Sequence, residues 1–106
     1  LEREEVILVM TDNKNRLICD RVLSRGTVNC SLVSPREIFL TALEYHAVHI
    51  LLVHNHPSGD PAPSRQDVEI TEKLSDLCEM MQIPLLDHIV VGEGRYLSFR
   101  EQGLLK

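Results

Sequence analysis

Apolar residues along this chain fall into runs of two kinds. Val6-Ile7-Leu8-Val9-Met10 is unbroken, the pattern of a strand covered on both faces. Val48 to Val53 reads as a second buried strand, which delivers His54, and Leu85 to Val91 as a third, mostly apolar one. Asp12-Asn13-Lys14-Asn15 is a polar turn, and Leu17 to Leu23 alternates loosely, which predicts a hairpin with the first strand. Gly26 is expected to interrupt that strand, and Thr27-Val28 to resume it briefly. Gly92-Glu93-Gly94 is a turn before a short closing strand from Arg95 to Phe99.

The second kind of run has helical spacing. Ser34-Pro35-Arg36-Glu37 predicts a helix start: Ser34 caps, Pro35 suits the first helical position and Glu37 completes a capping box. Ile38, Phe39, Ala42, Leu43 and His46 follow at helical intervals. A loop rich in Pro and Gly, Asn55 to Pro63, leads to another start at Ser64-Arg65-Gln66-Asp67, with an acid at the third position. Its expected apolar stripe is Ile70, Leu74, Leu77 and Met81, and Pro84 ends the connection. Strands alternating with two one-faced helices predict a mixed α/β sandwich. The tail Arg100 to Lys106 carries no pattern, and there is no repeat or low-complexity tract.

Composition narrows the class. The 106 residues suffice for one domain spanning 1–106, and 43% hydrophobic with 25% charged residues is ordinary for a soluble globular chain. There is no Trp, so the core is expected to be aliphatic. A net charge of -5 argues against a phosphate-binding surface as the main business of the domain. Cys19, Cys30 and Cys78 are scattered, without a C-x-x-C pair, and read as small hydrophobes in a reducing cytosol. No apolar run is long enough to span a bilayer and no signal peptide is visible, so a cytoplasmic protein without membrane contact is expected. The chain opens on Leu1 without an initiator Met, as expected of the C-terminal part of a longer protein.

The chemistry concentrates between His54 and Asp67. His54 and His56 stand one residue apart at the end of a buried strand, with Ser64 and Asp67 at the start of the next helix. The two imidazoles converge on one point if the backbone stays extended for one more residue, and Pro57 biases it to do so. Asp67 lies near the positive end of its helix, which favours the ionised carboxylate. Two neutral imidazoles and a carboxylate are a zinc ligand set that leaves a fourth position for water. Taken singly, each residue has a plainer role: a satisfied histidine, a capping acid, an N-cap serine. It is the joint spacing that points to a metal. His88, in Leu86-Asp87-His88-Ile89, is a further candidate whose plainer role is a hydrogen-bonded core histidine, and His46 and His49 are assigned to structure.

These residues resemble a known motif. His54-x-His56, ten residues, then Asp67, with Ser64 three before it, is similar to the JAMM metalloprotease motif of JAB/MPN domains. More narrowly, His54-Asn55-His56-Pro57-Ser58-Gly59, Pro63-Ser64, Pro35-Arg36-Glu37 and Leu86-Asp87-His88 resemble bacterial RadC proteins, over nearly the whole chain. The resemblance implies a three-layer α/β/α sandwich with a mixed sheet, cytidine-deaminase-like. It implies one zinc held by His54, His56 and Asp67, with Ser64 bonded to the tetrahedral intermediate. It also implies an upstream general base, matched here by Glu4, with Glu5 as the neighbouring alternative.

The function so implied is a zinc-dependent hydrolase of peptide or isopeptide bonds acting on a protein or peptide. The alternative is a non-catalytic binding module of a RadC-type protein associated with DNA repair. RadC proteins usually carry an N-terminal helix-hairpin-helix-type region. The 106 residues read here do not include that region, and direct nucleic-acid binding by this acidic fragment is not expected. A zinc nucleobase deaminase would need H-x-E and P-C-x-x-C, and neither occurs. Oligomeric state is left open.

Overall fold

A computed structural model of the chain describes residues 4–26, 34–56 and 61–105, with side chains from residue 5 to 23 in the first stretch. Strand β1 (Glu4–Thr11) turns through Asp12 into β2 (Leu17–Gly26). Asp12 closes that turn by accepting from the Lys14 and Arg16 N–H groups at 2.8 and 2.9 Å. Helix α1 (Pro35–Glu44) follows, then β3 (His49–Asn55), helix α2 (Arg65–Met81), β4 (Leu85–Gly92) and β5 (Arg95–Ser98). The five strands form one sheet in the order β2-β1-β3-β4-β5. Only β3 and β4 pair in parallel, so the sheet is mixed, as expected.

Topology places both helices on one face. β2 and β3 are each antiparallel to β1, hence parallel to one another. The crossovers β2-α1-β3 and β3-α2-β4 therefore step the same way between parallel strands, and the shared right-handed sense puts α1 and α2 on the same side. Two contacts agree. Thr71 of α2 bonds His88 of β4. Tyr45, the C-cap of α1, bonds Arg21 of β2, the cross-strand partner of buried Leu8.

Burial follows from that arrangement. Val6, Leu8 and Met10 of β1, Ile50, Leu52 and His54 of β3, and His88 and Val90 of β4 are buried beneath the helices. Their alternates Ile7, Val9, Leu51, Val53 and Ile89 are only half-buried, and Val22, Val91 and Tyr96 are exposed. The α/β class and mixed sheet match expectation, with the described residues supplying a sheet and one helical layer. β1 is covered on one face by the described residues, not on both.

Several local expectations shift. β2 runs through Gly26 without interruption, while Thr27 and Val28 lie outside the described residues. The loose alternation of β2 has a cause: the register slips between Val6 and Ile7 and between Met10 and Thr11, where Leu23 and Ile18 are the extra residues. Ser34 caps α1 through the Arg36 N–H at 3.1 Å, so the box with Glu37 does not form, and the Glu37 carboxylate instead lies 3.9 Å from Arg36. Ile38 and Ala42 are the buried residues of α1, whereas Leu43 is exposed and His46 lies beyond the C-cap with φ 55°. On α2 the buried stripe is Asp67, Thr71, Leu74 and Cys78, rotated from the expected one; Leu77 and Met81 are exposed.

The tail is tied down. Asp87 Oδ1 accepts from the Arg100 N–H at 3.0 Å, and Asp87 Oδ2 accepts from the Ser98 hydroxyl. The Phe99 carbonyl accepts from the Leu104 N–H at 2.8 Å, and Leu105 is buried. Among the described residues, no helix is long and apolar enough to cross a membrane.

Candidate metal centre

The residues singled out between positions 54 and 67 meet at the carboxyl end of β3 and the amino end of α2. β3 alternates strictly between buried and half-buried, so the parity that buries Ile50 and Leu52 also buries His54. The strand then continues one residue further than its assigned end. The His56 N–H donates to the Val91 carbonyl at 2.8 Å, which extends the parallel pairing and turns His56 to the side of His54. The two rings lie edge to face with centroids 4.6 Å apart.

Asp67 reaches the same point from the helix. It is the third residue of α2 and closes a reciprocal capping box: Ser64 Oγ accepts from the Asp67 N–H at 3.0 Å, and the Ser64 N–H donates to Asp67 Oδ2 at 2.9 Å. The same Oδ2 lies 3.6 Å from His56 Nε2. One ligand atom from each of His54, His56 and Asp67 falls within 4.8 Å of the others.

These residues could hold a metal ion, and their donor types are ones that zinc accepts. Bonds of about 2.0–2.1 Å in a tetrahedron place neighbouring ligand atoms about 3.3 Å apart, close to the observed His56–Asp67 separation. Asp67 is 2% exposed, and a buried carboxylate beside two imidazoles is a donor set that suits a dication. Three protein ligands are the number found where a fourth position is left to water or substrate.

Ser64 stands next to the group by virtue of its cap. Its oxygen is engaged with the Asp67 N–H, and its hydroxyl proton remains available to a ligand. The Glu4 side chain lies outside the described residues. Position 4 has the strand parity of Val6, which is paired across the sheet with His54. Glu5 has the opposite parity, and its N–H donates to Asn55 Oδ1 at 2.5 Å, so it belongs to the other side of the sheet.

His88 is fully buried at the edge of this group. Its Nδ1 lies 2.7 Å from Thr71 Oγ1, so it is the hydrogen-bonded core histidine anticipated from its surroundings. Its ring stacks on Phe99 at 4.4 Å and lies 5.9 Å from that of His54. Burial, helped by the neighbouring His54, pushes its pKa down to about 4, so the ring is neutral at physiological pH. Thr71 escaped the sequence reading. The signal available was its position four residues after Asp67, one helical turn along the same face. His49 is structural, with Nδ1 3.2 Å from the Asp12 carbonyl, and exposed His46 occupies the helix exit.

Comparison with known proteins agrees with this geometry. The family model described as a RadC-like JAB domain matches residues 1–104. A UPF0758 protein of Methanosarcina mazei is 44% identical over 105 residues, covering 99% of this chain and 46% of its own length. A UPF0758 protein of Pelobacter propionicus is 48% identical over 103 residues, covering 97% of this chain and 45% of its own. The chain thus spans about half the length of these curated relatives. With a family match over nearly all its residues and a His54–His56–Asp67 group able to hold a metal ion, the chain belongs to the RadC family through its JAB domain.

Proposed function

We propose that the domain is a zinc-dependent hydrolase that cleaves peptide or isopeptide bonds. The observation that supports this most is the convergence of two imidazoles and one buried carboxylate, all within 4.8 Å, in a set of three. His54, His56 and Asp67 would hold the ion. When bound, zinc supplies Lewis-acid polarisation of a carbonyl and hydroxide at neutral pH, since it lowers the pKa of water to about 7.

The chain's own groups divide the remaining work. Glu4 takes a proton from the attacking water and returns it to the leaving amine. Ser64 donates its hydroxyl proton to the oxyanion while its oxygen stays anchored by the Asp67 N–H. The capping box holds the Asp67 carboxylate toward His56, so the same two bonds order the helix start and one metal ligand. Protein or peptide substrates suit an acidic domain of net charge -5 better than nucleic acid does. The substrate of any longer protein that contains this domain is part of the same proposal.

Metal analysis with a peptide-hydrolysis assay tests this. Protein purified without chelator should hold about one zinc per chain. His54→Ala and Asp67→Ala should abolish both zinc retention and hydrolysis. A wild-type protein that holds no stoichiometric metal, and takes none up, would end the proposal.

A further inference from the structure

Four of the six buried polar side chains among the described residues lie together; Thr11, at the other end of β1, and Ser98 are apart from them. His54, Asp67, Thr71 and His88 are all at most 2% exposed; ring contacts, the Thr71–His88 hydrogen bond and the 3.6 Å approach of Asp67 to half-buried His56 join them into one wedge within the core. Three of these five form the candidate metal centre. Thr71 and His88 are left over, and nothing in the proposed chemistry uses them.

His88 is an unfavourable residue for a purely structural place. Its Nδ1 meets Thr71 Oγ1 at 2.7 Å, but its Nε2 is buried with no hydrogen-bond partner among the described residues. Donation from the Thr71 hydroxyl to Nδ1 leaves the fewest buried groups unmet, and it places the ring proton on Nε2. A buried N–H without an acceptor costs free energy that leucine at this position would not incur. Its neighbour across the parallel pair, Leu52, is apolar and equally buried.

The imidazole supplies something an aliphatic side chain cannot: a flat ring fixed from two directions. Thr71 holds it from α2, and Phe99 stacks on it at 4.4 Å with planes 19° apart. The next ring is that of His54, 5.9 Å away and tilted by 31°. His54 therefore has as its neighbour a ring held from two sides.

We propose that His88 is a positioning residue of the metal centre: clamped by Thr71 and Phe99, it holds the His54 ring in the orientation that zinc binding requires. This rests on the metal-binding role proposed for His54, His56 and Asp67. Residues that orient a metal ligand through a hydrogen bond typically alter metal affinity by about 10- to 100-fold when replaced, and His88 is expected to act in the same direction through its ring.

The test measures zinc dissociation constants by chelator competition, together with urea unfolding of the metal-free protein at neutral pH. For His88→Leu, unfolding of the metal-free protein should stay close to wild type while the zinc dissociation constant rises about 10- to 100-fold. Thr71→Val, which removes only the hydroxyl, should weaken zinc binding in the same direction, and Thr71→Ser should restore it. A merely structural role would move stability and leave affinity alone. If wild type binds zinc and both His88→Leu and Thr71→Val bind within about twofold of it, the positioning role is overturned while the metal centre stands. If His88→Leu fails to fold, Thr71→Val and Thr71→Ser decide the matter. If wild type binds no zinc, the metal centre itself falls, and this inference with it.

Discussion

Replacing His88 by leucine should change how the stability of the metal-free protein depends on pH. The folded pKa of His88 is pushed from 6.5 to about 4, chiefly by burial. Between those values the unfolded chain carries a proton on this ring that the folded chain does not, so unfolding is favoured as the pH falls. The contribution of His88 to stability is whole above pH 6.5 and is lost as the pH falls toward about 4. A gap of about 2.5 pH units is worth about 3.4 kcal/mol when fully expressed, and about 2.5 kcal/mol of it is gone by about pH 4.5. Leucine has no proton to bind and lacks this slope. Urea unfolding of both proteins in EDTA, from about pH 7.5 to about pH 4.5, measures the difference directly. The variant should gain about 2.5 kcal/mol on wild type over that range. A gap between the two proteins that stays constant with pH would refute the reasoning, because it would mean that His88 takes up its proton as easily folded as unfolded.

Other substitutions separate the roles assigned within the site. Ser64→Ala should cost about 1 kcal/mol in thermal or urea unfolding through loss of the N-cap, and about 100-fold or more in hydrolysis. Ser64→Asp should restore the cap without restoring hydrolysis, which distinguishes the two jobs of that oxygen. Glu4→Gln should bind zinc like wild type yet lose about 100-fold or more in kcat, while Glu5→Gln, on the opposite strand parity, should change neither by more than about twofold. Burial pushes the Cys78 thiol up to about 11, so it should resist alkylation at mildly alkaline pH in the folded protein and react once urea unfolds it. Alkylation of Cys78 at equal rates with and without urea would contradict its burial.

The convergence of His54, His56 and Asp67 was legible because its determinants are local. Strand parity, the extended residue before Pro57 and a capping acid at the third helical position each follow from a few neighbouring residues. The helix around Asp67 was legible too, but its facing was not. Ile70 and Leu77 outrank Thr71 in hydrophobicity, yet Thr71 lies on the buried stripe because Asp67 must face the same way. The bulges at Leu23 and Ile18 depend on the partner strand, so β2 looks merely irregular when read alone. The missing capping box at Ser34 has a similar origin: the sequence permits two acceptor geometries, and the one that meets Arg36 is adopted. Of the three cysteines, Cys78 is the buried small hydrophobe expected, Cys19 is half-buried, and Cys30 lies outside the described residues. The role of the tail was invisible because its partners, Asp87 and His88, are more than ten residues away along the chain.

Those tail contacts make the C-terminal segment a support for His88, the neighbour of the candidate ligand His54. Asp87 grips the Arg100 N–H, Phe99 lies flat against His88, and Leu105 is buried. Trimming the chain back to Ser98 would remove none of His54, His56 or Asp67, yet it would take away the surface on which their supporting ring rests. Zinc retention is therefore expected to fail from the C-terminal end inward, well before any ligand is touched.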